Sequence, residues 1–224
     1  MPIRNLANTA LNFLFPPFCL CCRQLITPKR ASLCQACFES LRLVDPTNHC
    51  PKCGFSLEGE VHRCHGSSLE AVGICFDDGP VIRSLLNGSA DLISPFVVLQ
   101  WHTLQWPLPD FVIPTPGDWF SRGSDRWRLR QEIAVQVATI LGRQATSVLA
   151  LERHRLPTPY LSLEEQGREV EDSAVRLRHP DTFVNKTVLL IHDTLVTGGA
   201  LRTPALALCH YGARAVWGIS IRGC

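Results

Sequence analysis

The strongest buried-strand signal in the chain is Val188-Leu-Leu-Ile191, an apolar run bounded by polar residues and followed at once by His192, Asp193 and Thr194. An unbroken apolar run of this length fits a strand covered on both faces, as in a parallel sheet. After it come Thr197, Gly198 and Gly199, then a helical stretch over 200–210, with Gly212 placed to cap its carboxyl end. The same patterning predicts strands at 70–76, 111–113, 148–151 and 216–221. Helices are expected at 81–86, at 90–105 with Pro95 interrupting the first turn, and at 132–143. The last carries Ile133, Val137, Ile140 and Leu141 at helical spacing. Pro114 and Pro116 should stop the strand before them. Strands alternating with helices predict an α/β fold with a parallel, doubly wound sheet.

Strand, glycine-bearing turn and helix aim backbone N–H groups and a helix dipole at one point, which suits a phosphate. Gly198 and Gly199 let the backbone approach an anion, and the Thr197 hydroxyl can donate to it. Asp193, at the carboxyl end of the strand, is placed to meet a sugar hydroxyl or a cation beside that phosphate.

Cysteine usage divides the chain. Eight of the 11 cysteines fall between Cys19 and Cys64. Cys19-x-x-Cys22 and Cys34-x-x-Cys37 supply four thiolates for a tetrahedral zinc site. Cys50-x-x-Cys53 with Cys64 supplies three for a second, to which His62, His65 or no protein residue adds a fourth, and Cys21 is a spare thiol. So short a region has little apolar core, so each metal would contribute on the order of 10 kcal/mol to its folding. The role expected for zinc is therefore structural. A disulfide framework needs an oxidising compartment. The apolar start at 11–15 is short and broken by Pro16-Pro17, so no signal peptide is expected. The boundary between the cysteine-rich part, 1–69, and the α/β part, 70–224, is drawn where prolines and turns give way to periodic segments.

An apolar content of 46% describes a folded protein, and a net charge of +2 gives no general drive toward nucleic acid. No run reaches the roughly 18 apolar residues of a membrane span. Membrane insertion is not expected, and the cytoplasm is the expected location.

The segment 186–202 resembles the phosphoribosyl-pyrophosphate loop of type I phosphoribosyltransferases. There, two adjacent acids follow a hydrophobic strand and precede a Thr-Thr-Gly-type turn. The acids hold the ribose hydroxyls and the turn wraps the 5′-phosphate. The whole chain resembles the ComF family of competence-associated proteins, in which a zinc ribbon precedes a phosphoribosyltransferase-like domain. The resemblance is carried by Phe15-Pro-Pro-Phe-Cys19, the three C-x-x-C knuckles, Ile113-Pro-Thr-Pro116, the loop at 192–200 and Tyr211-Gly-Ala-Arg214. It implies a type I phosphoribosyltransferase-like parallel sheet with helices on both faces. It also implies phosphoribosyl pyrophosphate or a nucleotide as ligand, magnesium accompanying that ligand, and a link to DNA uptake. The implied site is His192, Asp193, Thr194, Thr197, Gly198, Gly199 and Ala200, with Asp193 catalytic.

Departures from the family pattern bear on chemistry. His192 stands where the first acid is expected, and Val196 and Ala200 where threonines are usual. The family's Arg-Gly-Phe-Asn-Gln reads Trp127-Arg-Leu-Arg-Gln131 here. Pro157, Tyr160 and Glu171 replace a threonine, a glutamine and an asparagine, and Asn87-Gly-Ser89 replaces a basic-aromatic pair. Arg122, Arg126, Arg128 and Arg130 around Trp127 form the densest basic patch, suited to pyrophosphate, to single-stranded DNA or to a solvated loop. Three functions therefore stand side by side: a transferase, a non-catalytic adaptor working with DNA-uptake proteins, and a nucleic-acid-binding ribbon on a scaffold domain.

Overall fold

The computed structural model describes residues 17–26, 32–57, 64, 68–116, 125–146, 149–151, 175–177, 180–196 and 198–223. Its centre is a five-stranded parallel sheet in the order β1-β7-β6-β2-β3. The strands are β1 (Ala71–Phe76), β2 (Phe111–Pro114), β3 (Gln144–Ala145), β6 (Thr187–Thr194) and β7 (Ala215–Arg222). Strand β6 lies in the middle, with Val188 opposite Phe111 on one side and Val216 on the other. The alternation within its apolar run explains the layers. Leu189 and Ile191 pack on one face with Ile93 and Val97 of α3 (Ala90–Thr103) and Ile133 and Val137 of α4 (Asp125–Ile140). Val188 and Leu190 pack on the other with Leu201, Ala205 and Leu208 of α5 (Gly199–His210). A parallel sheet with helices on both faces, as expected, is what the chain forms.

After the short helix α1 (Gln35–Glu39) of the cysteine-rich part, helix α2 (Pro80–Leu85) lies where a short helix is expected. Helix α3 continues through Pro95 instead of being broken by it. Helix α5 ends as Gly212 predicts: the Gly212 N–H donates to Cys209 and the Ala213 N–H to Leu208, closing the carboxyl end. Two expectations are corrected. Helix α4 begins at Asp125, well before 132, because Leu129 and Ile133 already stack one turn apart in the core. The run at 148–151 does not join the parallel sheet. Its residues Leu149–Leu151 form β4, paired antiparallel with β5 (Val175–Leu177). The physical reason lies just upstream: the turn after α4, closed by Arg143 N–H donating to Ala138, delivers the chain to the sheet at Gln144, so β3 takes the edge.

The cysteine-rich segment docks on β1, the end strand. Val72 donates to Pro51 and Val44 donates to Cys75, while the buried Gln100 amide donates to the Val44 and Ile74 carbonyls at 3.0 and 2.8 Å. Its first and third knuckles share one hydrogen-bond pattern. Arg23 donates to Cys19 and Gly54 to Cys50, and Cys19 and Cys50 donate back to Gln24 and Phe55. The pivot of each turn, Arg23 or Gly54, has a positive φ of 62° or 75°. At Gly54 a Cβ would come within 2.6 Å of Leu195 Cδ2 and 2.9 Å of Val72 Cγ1, so the third knuckle seats on the residue after β6.

Candidate functional site

Strands β2 and β6 are neighbours, yet the helices that follow them lie on opposite faces, α4 on one and α5 on the other. Such a reversal opens a crevice at the carboxyl ends of the strands, where open α/β sheets bind ligands. Thr115 follows β2, His192 and Asp193 lie in the last residues of β6, and Arg130 comes from the second turn of α4. Thr115, Arg130 and Asp193 are all buried.

The four side chains form one network. Arg130 donates to Thr115 Oγ1 at 3.1 Å, and Thr115 Oγ1 lies 2.7 Å from His192 Nδ1. Arg130 NH1, a donor only, also faces Nδ1 at 3.5 Å, so the network is satisfied with Nδ1 as acceptor and the Thr115 hydroxyl donating to it. This assignment, made from the network, leaves Nε2 as the imidazole donor. Asp193 Oδ1 lies 3.5 Å from Arg130 Nε and 3.7 Å from His192 Nδ1, and Oδ2 lies 3.8 Å from Arg126. The Arg130 guanidinium also sits over the Trp127 ring, 5.7 Å from its centroid.

Beyond β6 the chain reaches Gly198, with φ 78° and ψ −15°, which opens α5. Leu201 and Arg202 donate to the Gly198 carbonyl, whereas the N–H groups of Gly199 and Ala200 fall in the first turn, where a helix offers no carbonyl of its own. A Cβ on Gly198 would meet only the Cys53 carbonyl, at 3.8 Å. The cradle read from the sequence thus has its helix start, its left-handed glycine and Asp193 at one end of the sheet, with Thr194 closing β6 opposite Arg222. Thr197 lies outside the described residues, as do His62, His65, Arg122 and the segment 155–171.

The basic patch is reorganised by the fold. Arg126 and Arg128 are exposed and Trp127 is half-buried, but Arg130 turns inward to the β6 acid. The sequence leaves Arg130 open between a pyrophosphate or DNA contact and a solvated loop; the structure turns it inward, to Asp193 and Thr115. Thr115 is the residue of this network to which sequence reasoning assigned no role, and its signal was position, one residue beyond a strand that ends in proline.

Magnesium prefers an octahedral shell of oxygens, supplied through carboxylates and phosphates. The described site offers one carboxylate, and that carboxylate faces two guanidiniums. These residues do not fit a magnesium ion.

The cysteine clusters do fit zinc. Cys19, Cys22, Cys34 and Cys37 bring their sulfurs within 4.8 Å of one another, as do Cys50, Cys53 and Cys64. Tetrahedral Zn–S bonds of about 2.3 Å need sulfurs about 3.8 Å apart, and Cys22 and Cys34 stand at 3.5 Å. Burial pushes the Cys19 thiol up, but N–H groups of Cys34, Cys22 and Cys21 outweigh it and hold the thiol at about 6. In the second cluster burial again opposes ionisation, and the N–H groups of Lys52 and Cys53 bring Cys50 to about 7. The first and third knuckles thus each stabilise a thiolate, the form that binds metal. Burial and neighbouring sulfurs push Cys37 up, so a metal's positive charge is what would ionise all four thiols together.

Residues 10–75 match the double zinc ribbon domain family. No curated protein matches the chain. Similar solved structures include a hypoxanthine phosphoribosyltransferase from Staphylococcus aureus, 14% identical over 58% of this chain and 61% of that one, with a TM-score of 0.36. A purine phosphoribosyltransferase from Pyrococcus horikoshii is 14% identical over 59% of this chain and 82% of that one, with a TM-score of 0.37. The chain spans about three fifths of the staphylococcal protein, 61% of its length. Among the described residues, no helix is long and apolar enough to cross a membrane.

Proposed function

We propose that the crevice between β2 and β6 binds a 5′-phosphorylated ribose, as phosphoribosyl pyrophosphate or a nucleotide, with structural zinc in the N-terminal ribbon. The observation that carries this reading is the placement of Asp193 and the Gly198 turn together at the sheet's switch point. Backbone N–H groups at the start of α5 would take the phosphate, and Asp193 would accept from ribose hydroxyls. A carboxylate has about four acceptor positions, so its arginine partners leave room for hydroxyl donors. Transfer of the phosphoribosyl group to a base, with Asp193 as the catalytic residue, is the activity that such a site would serve.

Calorimetric titration with ribose 5-phosphate tests the reading through two variants. Gly198→Val forces a β-branched residue into a left-handed conformation, and should abolish binding of ribose 5-phosphate and inorganic phosphate alike. Asp193→Asn removes a charge-assisted acceptor, and should weaken ribose 5-phosphate about tenfold while sparing inorganic phosphate. If the natural chain binds no phosphorylated ribose, the non-catalytic adaptor reading replaces this one.

The ComF resemblance extends the proposal to DNA uptake in the cytoplasm, with uptake-machinery proteins as partners. Arg126 and Arg128 beside Trp127 offer exposed charge and a stacking ring for single-stranded DNA. Binding there should fall steeply with salt and drop in Trp127→Ala. Salt-insensitive binding, or none at low salt, would remove this extension.

A further inference from the structure

We infer that Arg126 and Arg130 take over the neutralising task of a divalent cation, so that this site holds its phosphorylated ribose without magnesium. The inference rests on the ligand reading above and deepens it. Its starting point is the charge arrangement at Asp193, whose side chain is only 10% exposed and lies between Arg130 at 3.5 Å and Arg126 at 3.8 Å.

Arg130 is fixed in that place. Its side chain is 7% exposed, it donates to Thr115, and Trp127 flanks its guanidinium plane. A surface arginine could swing away from an arriving cation; this one is walled in by the residues that bury it. Magnesium at Asp193 would therefore have to sit against a fixed positive charge. His192 does not compensate, because an imidazole suits softer metals than magnesium.

Two departures from the ComF pattern meet at this point. With Gln131 as the common residue, Arg130 stands where that pattern has asparagine, and His192 stands where it has an acid. The two side chains face each other, Arg130 NH1 lying 3.5 Å from His192 Nδ1. One negative charge is absent and one positive charge is present at adjoining positions. A place that the pattern would make more acidic thus carries a cation of its own. Arg126 completes the arrangement: at 59% exposure it can turn from Asp193 toward a phosphate or pyrophosphate.

The test uses the full zinc-loaded chain in magnesium-free buffer without chelator, so that the ribbon stays intact. Phosphoribosyl pyrophosphate is titrated calorimetrically with and without added magnesium, on the natural chain and on the Arg130→Asn/His192→Asp double variant. The natural chain should bind equally well in both buffers, and the double variant should bind about tenfold or more tightly with magnesium, a factor that corresponds to about 1.4 kcal/mol. Magnesium-dependent binding by the natural chain would overturn the inference. A second arm needs no ligand. Manganese alone should leave the backbone amide signals of residues 192–194 sharp in the natural chain and broaden them in the double variant. Broadening in the natural chain would overturn the inference. Sharp signals there with no binding of the phosphorylated ribose would uphold metal exclusion while refuting the ligand reading.

Discussion

Arg130→Met is the perturbation that most directly probes how the site is held together. The substitution keeps an unbranched, helix-favouring side chain against Trp127 but leaves the buried Asp193 carboxylate without its nearest cation. Removing one partner of a buried ion pair costs about 3–5 kcal/mol, mostly through the uncompensated charge that remains. Arg126 stays near Asp193 Oδ2 but is mostly exposed, so it offsets part of that cost. The lower end, about 3 kcal/mol, is therefore expected. At a urea m-value of about 2 kcal/mol per molar, this lowers the unfolding midpoint by about 1.5 M. Asp193→Asn in the same background should restore much of the loss, with a coupling energy of at least about 1 kcal/mol in the double-mutant cycle. The assay is urea unfolding of the four zinc-loaded proteins at neutral pH, followed by circular dichroism. Strictly additive single effects would show that Arg130 and Asp193 do not act as a pair.

Three further outcomes follow from particular contacts. Cys34→Ser should lose one equivalent of zinc by elemental analysis while Cys50 and Cys53 retain theirs; loss of no zinc would remove the first metal site. Gly54→Ala places a Cβ 2.6 Å from Leu195 Cδ2 at positive φ, and should cost about 2–4 kcal/mol from left-handed strain and overpacking, read as a lowered urea midpoint. Asp110 accepts from the Thr187 N–H and hydroxyl at the start of β6, and the N–H bond holds its carboxyl below the usual range. Its stabilisation is therefore present above the unfolded value of about 3.9 and is lost as pH falls through the lower folded value. Asp110→Ala should cost about 1–2 kcal/mol at pH 7, and the gap in unfolding midpoint should shrink below about pH 4.

The fold was legible where the sequence signal was one of periodicity. Val188 to Ile191 read as a doubly covered strand because both faces of β6 are packed, by α3 and α4 on one side and α5 on the other. Leu149–Leu151 misled because a short apolar run looks the same in a parallel sheet and in an antiparallel pair. The start of α4 was hidden because its first turns carry Arg126, Trp127 and Arg130, and charge reads as surface. The candidate site divided along the same line. Asp193 and Gly198 were marked by their place after a strand, which follows from chain order. The inward turn of Arg130 toward Thr115 and Asp193 depends on how α4 packs across β2 and β6, contacts that no local pattern encodes.

The most direct measurement is a crystal structure of the zinc-loaded chain soaked with ribose 5-phosphate. The account predicts the phosphate against the backbone N–H groups at the start of α5, with ribose hydroxyls donating to Asp193. Clear density for the ligand elsewhere, or none there at a saturating concentration, would contradict it.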